Sequence, residues 1–291
     1  MPEFYQYLFS GLTNGAIYAI IALGFSMLFA ATDLINFAHG EFVMLGALIL
    51  VTLWPVMGLP LPLAFVLAVL ATGILGIVFE RLAIRTVKKP EPIVLVIITV
   101  GAGIFLRGVA MIIWGKTAKG APPFSSMPPI ELAGAYLLAQ SVWILGIVLA
   151  TVLAMHFFYK KTLTGKAMSA CAINKRAASL LGIATQMMTL LAFAVSAALG
   201  GMAGVIIAPI TMNEYEMGAI LGLKGFCAAM LGGLGNSWGA VVGGFALGIA
   251  EAMAVGYVSS SMKDAVAFLL LLLILYVRPT GILGGKAVTR F

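Results

Sequence analysis

The chain has 291 residues, of which 62% are hydrophobic and 9% charged, and its mean hydropathy is +1.13. Soluble domains carry about 25% charged residues, so this composition excludes a water-soluble globule. A membrane β-barrel would show alternating segments of about ten residues, whereas this sequence contains apolar runs of about twenty, which is the length of a helix that crosses a bilayer. The net charge of +7 does not indicate nucleic-acid binding, because the basic residues cluster beside the ends of the apolar runs.

Apolar segments follow one another along the whole chain, and we predict a single all-α integral membrane domain, 1–291. The predicted spans are 8–29, 41–57, 62–84, 93–114, 136–159, 183–209, 217–234, 238–257 and 263–277. Each is identified by its length and apolarity. The sequence therefore predicts a polytopic bundle of about eight or nine transmembrane helices, with a short cytoplasmic helix and room for broken helices.

Charge predicts the orientation, since loops rich in lysine and arginine stay in the cytoplasm. The segment between the sixth and seventh spans carries Glu214 and Glu216 without a basic residue, and we expect it outside. An outside Glu214 and an inside Arg278 require an odd number of crossings between them, which favours nine spans. The basic residues that mark cytoplasmic loops are Arg81, Arg85, Lys88, Lys89, Lys160, Lys161, Lys166, Lys175, Arg176, Arg278, Lys286 and Arg290.

Glycine is the second signal, with 34 residues distributed through the spans. Small residues let membrane helices approach closely, and tight packing is the simpler interpretation. A second interpretation is that the run with Gly232, Gly233, Gly235 and Gly239 marks a broken helix that lines a substrate path, because discontinuous helices expose backbone groups at membrane depth. A break of this kind would leave eight full spans.

A polar string, DLINFAHGEF, separates the first two spans and contains Asp33, Asn36, His39 and Glu41. It is too polar for lipid and too short for an ordinary aqueous loop. One interpretation is an interfacial turn in which Asp33 and Asn36 cap the next helix, with Glu41 in its first turn. The other is an unwound segment that lines a cavity, and the two are compatible.

Further polar residues lie within the spans. Asn14 and Tyr18 are four apart on the first helix and are expected to share a face. Glu251 is the most isolated acid; it could act as a proton relay or as a structural group, and Lys224 is a candidate partner. We expect Arg107 near the end of its span, with its head group at the interface.

Motifs for catalysis or metal binding are absent from the sequence. No His-x-x-x-His or Cys-x-x-Cys pair is present. The tripeptide at 115–117 resembles the end of a phosphate loop, but Ala110 stands where that motif needs glycine. We therefore expect no metal, nucleotide or other cofactor on this chain, and any energy for transport must come from an ion gradient or another subunit.

The longest predicted cytoplasmic loop, about 160–183, contains an alanine-rich stretch that begins at Gly165 and ends at Gly182. This pattern predicts one short amphipathic helix with a C-terminal glycine stop. Its apolar face includes Ile173, Leu180 and Leu181. Such a helix lies on the bilayer surface or docks into a groove of a soluble partner.

Several strings resemble, in order and at similar spacing, the permease subunits of branched-chain amino acid ABC importers, specifically the high-affinity branched-chain amino acid permeases. They are NGAIYA at 14–19, INFAHGE at 35–41, ACA at 170–172 with ASLLGI at 178–183, GLKGF at 222–226, LGGLG at 231–235 and RPTG at 278–281. The resemblance extends over almost the whole chain. It departs at Ile173 and Asn174, where such permeases commonly have an acidic pair, and at Ser169, where they have arginine.

The resemblance implies a non-catalytic permease in the inner membrane of a bacterium. It would pair with a second, homologous permease, two cytoplasmic ATPases that use ATP and Mg²⁺, and a periplasmic substrate-binding protein. The loop at 160–183 would then be the coupling helix, with its contacts at Gly165, Lys166, Ala170, Ala172, Asn174, Leu180, Leu181 and Gly182. The candidate substrate path comprises Asn14, Tyr18, Asn36, His39, Glu41, Gly232, Gly233, Gly235 and Glu251. Relatives import urea or short amides, so the cargo stays open, as does an ion-coupled carrier that acts alone.

Overall fold

A computed structural model describes residues 2–87, 91–132 and 134–284. Four of the basic residues used above for orientation, Lys88, Lys89, Lys286 and Arg290, lie outside these ranges. The described chain is mainly helical. Its α-helices are α1 Pro2–Thr32, α2 His39–Val51, α3 Leu61–Phe79, α4 Pro92–Trp114, α5 Ala139–Lys161, α6 Leu163–Ile173, α7 Lys175–Leu180, α8 Thr185–Ile207, α9 Met217–Gly232, α10 Ser237–Tyr257 and α11 Lys263–Val277.

Short elements complete the described fold. The π-helical turns Thr52–Val56 and Glu80–Ile84 extend α2 and α3, and a 3₁₀ turn, Ser260–Met262, precedes α11. Strands β1 Ile130–Leu132 and β2 Ala135–Leu137 form an antiparallel hairpin. Within the described ranges, seven helices are long and apolar enough to cross a membrane, counting the two π-helical extensions.

The nine predicted apolar segments all coincide with helices. Seven reach full length, whereas α9 has 16 residues and α11 has 15. At 1.5 Å per residue these two helices are about 24 and 22 Å long, less than the ~30 Å hydrocarbon core. The all-α polytopic architecture is therefore confirmed, with two of the predicted spans formed by short helices.

Local chemistry sets several helix ends. Pro92 is the first residue of α4, where its fixed φ suits a helix start. The side chains of Thr162 and Asn236 accept backbone hydrogen bonds at the starts of α6 and α10. Gly115 and Gly233, at φ +78° and +108°, end α4 and α9 in a conformation that favours glycine.

Glycines bring antiparallel helices into close contact. Helix α1 runs antiparallel to α10, with Gly15 against Phe245 and Gly248, and Ala19 against Gly244. Helix α3 packs in the same way on α8, where Gly76 meets the backbone of Phe193. A Cβ at these glycines would collide with the facing helix. The close packing predicted from glycine content is therefore present, as the small-residue rule for membrane helices requires.

The bundle has two distinct ends. At one end the start of α1 meets the hairpin, where Gln6 exchanges side-chain–backbone hydrogen bonds with Tyr136; we call this the hairpin end. At the other, Phe29 near the end of α1 contacts Gly235, and Arg85 donates to Gln186; we call this the basic end. The predicted cytoplasmic and external loops lie at the basic and hairpin ends respectively.

Two helices begin inside the bundle. The imidazole of His39, the first residue of α2, packs against Gly24, which lies eight residues before the end of α1. Eight residues correspond to about 12 Å of helix, so the segment 33–38 turns back into the bundle before α2 starts. The first turn of α9 meets that of α2, where a Cβ on Gly218 would lie 2.7 Å from the carbonyl oxygen of Gly40.

Candidate substrate path

The returning segment buries the polar string. Asn36, His39 and Glu41 are all at most 2% exposed. Asp33 adopts a left-handed φ of +58°, which aspartate tolerates better than most residues, and the Asn36 side chain accepts from the backbone N–H of Ala38. The interfacial placement is wrong, because the turn folds back against α1, α4 and α9. Glu41 lies in the first turn of α2 as predicted, whereas the Asn36 bond closes a turn before the helix and does not cap it.

Glu41 forms an ion pair with Arg107 of α4. The Arg107 Nη2 donates to Glu41 Oε1 at 2.7 Å. The prediction that Arg107 reaches the interface is wrong: Arg107 lies seven residues before Trp114, about 10 Å from the end of α4, and its head group turns toward Glu41. A buried carboxylate is costly without a partner, and Arg107 is the partner of Glu41. The two residues are 66 positions apart, so no local sequence pattern connects them.

A cavity of about 140 Å³ adjoins this pair. It lies between α1, α2, α4 and α9, and we call it the α4–α9 cleft. Its walls combine the ion pair with apolar and small residues: Phe25, Phe37, Val100, Gly103, Ile104, Ala219, Gly222 and Leu223. The polar string predicted to line a cavity thus contributes Phe37 and Glu41 to one.

His39 lies beside the cleft but is enclosed by helices. Its Nδ1 is 3.2 Å from Ser196 Oγ, and that hydroxyl donates to the carbonyl oxygen of Gly24. Phe25 stacks edge-on with the imidazole at a centroid distance of 4.6 Å. The Nε2 atom has no hydrogen-bond partner among the described residues. These contacts hold α1, α2 and α8 together.

A second charged cluster joins α9, α10 and α11. The Lys224 ammonium donates to Glu251 Oε1 at 2.8 Å and lies 2.7 Å from Asp264 Oδ1. Lys263 approaches Glu251 Oε1 at 3.7 Å, and Lys224 Nζ lies 5.8 Å from the Tyr18 ring centroid. The candidate pairing of Lys224 with Glu251 is therefore found. Asp264 was not singled out from the sequence, because its position at the start of a helix resembles an ordinary first-turn acid.

The remaining path candidates occupy other places. Asn14 lines a cavity near the hairpin end, whereas Tyr18 faces the second charged cluster. Gly232, Gly233 and Gly235 form the turn between α9 and α10 at the basic end, where Gly233 packs against the chain at 280–284. This turn connects two helices and does not interrupt one. A role for these residues in the path stays a prediction.

The predicted coupling segment consists of two helices. Helix α6 begins at Leu163, before the predicted start at Gly165, and Asn174 separates it from α7 by accepting from the backbone N–H of Ala177. The prediction of one continuous helix is therefore wrong, since Asn174 leaves the helical conformation to cap the next helix. Gly182, at φ +82°, is the predicted stop.

Burial divides the coupling segment into two faces. Gly165, Met168, Cys171 and Ala178 face the bundle. The outward apolar residues are Leu163, Ile173, Leu180 and Leu181, which are 80–88% exposed. Lys166 and Asn174 are exposed, Ala170 and Ala172 are half-buried. Most of the residues proposed for partner contact therefore lie on the accessible side.

The described residues offer little support for a metal-binding group or a reactive thiol. No group of three or more His, Cys, Asp or Glu side chains that could hold a metal occurs in the described part of the chain. Cys171 and Cys227 are free and buried. Burial raises the pKa of the Cys171 thiol above its usual value, which lowers the reactive thiolate fraction.

Comparison with known proteins places this arrangement in a family. The family model described as branched-chain amino acid transport system / permease component matches residues 7–275. The chain belongs to this permease family.

Relatives that match over nearly their full length bear names from the same permease family. The permease is 35% identical to the high-affinity branched-chain amino acid transport system permease protein LivH of Escherichia coli K12, over 99% of this chain and 97% of the relative. It is 34% identical to the corresponding protein BraD of Pseudomonas aeruginosa, over 100% of both chains. A solved structure, PsaBC from Streptococcus pneumoniae in complex with Fab, aligns with a TM-score of 0.47 and 14% identity over 96% of this chain and 91% of that chain. With its seven long apolar helices, the permease is a multi-pass membrane protein.

Proposed function

We propose that the permease is the membrane subunit of an ATP-driven importer that carries branched-chain amino acids across the inner membrane of a bacterium. It performs no catalysis, binds no cofactor and leaves ATP hydrolysis to two separate cytoplasmic ATPase subunits. The names of full-length relatives at 34–35% identity support the cargo. Urea and short amides remain the alternative cargo within the family.

The observation that carries the proposal is the exposed apolar face on α6 and α7. Four large side chains that are 80–88% exposed would be costly in water, since burial of one such side chain is worth about 1.5–3 kcal/mol. Lys166, Lys175 and Arg176 lie on the same two helices. This amphipathic surface at the basic end suits a groove in a soluble partner, the mode in which helices dock by apolar anchors.

A second, homologous permease is the proposed lateral partner. The side chains of Asp264 and Lys263 at the start of α11 are 60% and 50% exposed. They lie level with Glu251, which is 14 residues, or about 21 Å, from the start of α10 at the basic end. Charges at that depth are expensive in lipid, so a protein neighbour is the more favourable surrounding. A periplasmic binding protein would deliver the cargo at the hairpin end.

An ion-coupled carrier acting alone is the competing function. It would use Glu251 as a proton relay, together with His39. Glu251, however, accepts from Lys224 at 2.8 Å, and His39 is enclosed between helices. Both groups are thus engaged with neighbouring helices, which favours a structural role over a proton relay.

Co-purification tests the coupling surface directly. We expect Leu180→Asp/Leu181→Asp to abolish recovery of the ATPases with the membrane subunit, because two carboxylates cannot enter an apolar groove without a large desolvation cost. Thr117→Asp at the hairpin end, outside the coupling segment, is the matched control. Membrane insertion of both variants is checked by protease protection. Full ATPase recovery with the double variant contradicts the proposed coupling role.

Uptake by vesicles tests the energy source. The permease alone, under an imposed proton gradient, should not accumulate leucine. The assembled transporter with its binding protein should accumulate leucine when ATP is supplied on the side of the membrane where the ATPases lie. Leucine accumulation by the isolated chain would contradict the proposal and favour the ion-coupled carrier.

A further inference from the structure

The α4–α9 cleft combines opposite charges with apolar walls at membrane depth. Glu41 and Arg107 form one side, and Phe37, Ile104 and Leu223 are among the apolar residues around it. The cleft volume of about 140 Å³ is far above the ~10–15 Å³ that one water molecule requires. A dry structural ion pair needs no such space, so the cavity calls for an explanation beyond helix packing.

The two charged groups are incompletely satisfied. Glu41 binds Arg107 through Oε1, while its Oε2 has no hydrogen-bond partner among the described residues, and neither has Arg107 Nε. The Glu41 side chain is only 3% exposed, so water cannot freely solvate the second oxygen. A carboxylate accepts about four hydrogen bonds and a guanidinium donates five. The pair by itself therefore leaves one buried acceptor and one buried donor without a partner.

The Glu41 carboxylate is also placed at a helix start. A Cβ on Gly218, in the first turn of α9, would lie 2.7 Å from Glu41 Oε2. The backbone of α9 therefore packs directly against this oxygen, and any larger residue at position 218 would displace the carboxylate. At Gly103, on the α4 wall, the nearest atoms to an added Cβ lie 3.6 Å away, one of them Glu41 Cγ. Gly103 thus leaves space beside the carboxylate on the α4 side, where the cleft lies.

Access to the cleft comes from the side of the bundle between α4 and α9. The Arg107 side chain is 32% exposed, and Ile104 and Leu223 are exposed on the same two helices. Arg107 lies about 22 Å from the start of α4 and about 10 Å from its end. An arginine at that depth faces a protein partner or a water-filled path rather than lipid.

We propose that the α4–α9 cleft is a transient binding site for a zwitterionic amino acid, in which Arg107 receives the α-carboxylate, Glu41 receives the α-ammonium group and the apolar walls receive the side chain. The inference rests on the proposed function and names the site on the path. In the unloaded state the two residues satisfy each other. A passing zwitterion exchanges one ion pair for two, so no net charge has to enter the membrane.

This geometry also discriminates between cargo classes. The bidentate fork of arginine matches a carboxylate, and an ammonium group matches the Glu41 carboxylate once Arg107 turns to the cargo. Urea and short amides carry neither charge, so they cannot separate the ion pair at comparable cost. The site therefore favours amino acids over the alternative cargo of the family.

The test uses the assembled transporter in proteoliposomes, with ATP supplied to the ATPases and leucine-loaded binding protein outside. The variants are Arg107→Met, Arg107→Lys and the neutral pair Glu41→Gln/Arg107→Met, and Arg85→Met is the matched loss of an arginine at the basic end. We expect at least a tenfold loss of maximal uptake for Arg107→Met and for the neutral pair. The half-saturating concentration of binding protein stays unchanged, because docking occurs elsewhere. Arg107→Lys retains part of the rate, and Arg85→Met retains all of it.

Cysteine protection reports cargo occupancy in a chain that keeps both charges. Leu223→Cys places a thiol on the cleft wall, and a methanethiosulfonate reagent modifies it. We expect leucine delivered during turnover to slow this modification, and to lose that effect when Arg107→Met is added. Because Leu223→Cys alone leaves the ion pair intact, this measurement stands even when the neutral pair does not assemble.

Three outcomes separate the possibilities. Wild-type uptake by a stable neutral pair overturns the proposed site, and so does modification of Leu223→Cys that is indifferent to leucine. The proposed site is also overturned if uptake by the variants falls only in proportion to the amount of assembled, thermally stable transporter. The Glu41–Arg107 ion pair would then be structural. Absence of ATP-dependent leucine uptake by the wild type instead refutes the proposed function itself.

Discussion

The second charged cluster provides the sharpest stability prediction. Lys224→Met removes the ammonium that lies 2.8 Å from Glu251 Oε1 and 2.7 Å from Asp264 Oδ1, while a methionine of similar length keeps the packing. At an effective dielectric constant of about 20, a pair at 2.8 Å is attracted by about 6 kcal/mol. Part of this attraction offsets the cost of removing the two buried groups from water. Removing one partner of a buried ion pair costs about 3–5 kcal/mol.

The structure places the expected loss at the lower end of that range. Lys263, 3.7 Å from Glu251 Oε1, retains some compensation for the carboxylate that loses its partner. We expect Lys224→Met to lower the free energy of unfolding by about 3 kcal/mol, which is a factor of about 160 in the unfolding equilibrium.

Reversible unfolding in mixed detergent micelles, followed by circular dichroism, measures this change. Lys116→Met, which removes an exposed lysine at the hairpin end, is the control and should change the free energy by less than about 0.5 kcal/mol. Lys224→Met/Glu251→Leu should recover at least half of the loss, because no unpaired carboxylate then stays buried at position 251. A loss below about 1 kcal/mol for Lys224→Met, or no recovery in the double variant, would refute the reasoning.

Three further changes probe other parts of the fold. Gly232→Ala should destabilise the permease by about 1–3 kcal/mol in the same unfolding assay, because its Cβ would collide with the backbone of Gly239; an unchanged value would show that α9 and α10 can separate freely. Asn236→Ala should cost about 1 kcal/mol, since its side chain accepts from two backbone N–H groups at the start of α10. Asn236→Asp should restore only part of this loss, because it keeps the cap but cannot donate to the Leu283 carbonyl oxygen. Cys171 should react with maleimide far more slowly at pH 7 than the exposed thiol of a Leu181→Cys variant. Its reaction should accelerate only at higher pH, because burial raises the pKa of the Cys171 thiol. Equal reaction rates for the two thiols would contradict the buried position of Cys171.

The ion pair between Glu41 and Arg107 could not be predicted from the sequence, because its partners are distant in the chain. Glu41 and Arg107 are 66 positions apart, and an arginine seven residues from a span end is equally compatible with an interfacial head group. The return of the segment 33–38 into the bundle depends on Gly24, which makes room for the His39 imidazole, and on the close contact of Gly40 with Gly218. Hydropathy records only that this segment is polar, so it did not distinguish a turn at the interface from one at depth.

The sequence by itself determined the class of protein, the apolar segments and the family. Apolar runs of helix length have few alternatives in a bilayer, because the backbone must satisfy its own hydrogen bonds there, and this is why the predicted segment 263–277 coincides with α11. Asn174, by contrast, divides the coupling segment through a cap that helix propensity over the whole stretch did not reveal. The tertiary structure alone decided which charges meet, where α2 and α9 begin and which face of the coupling segment is exposed, because these depend on contacts between helices that are distant in the chain.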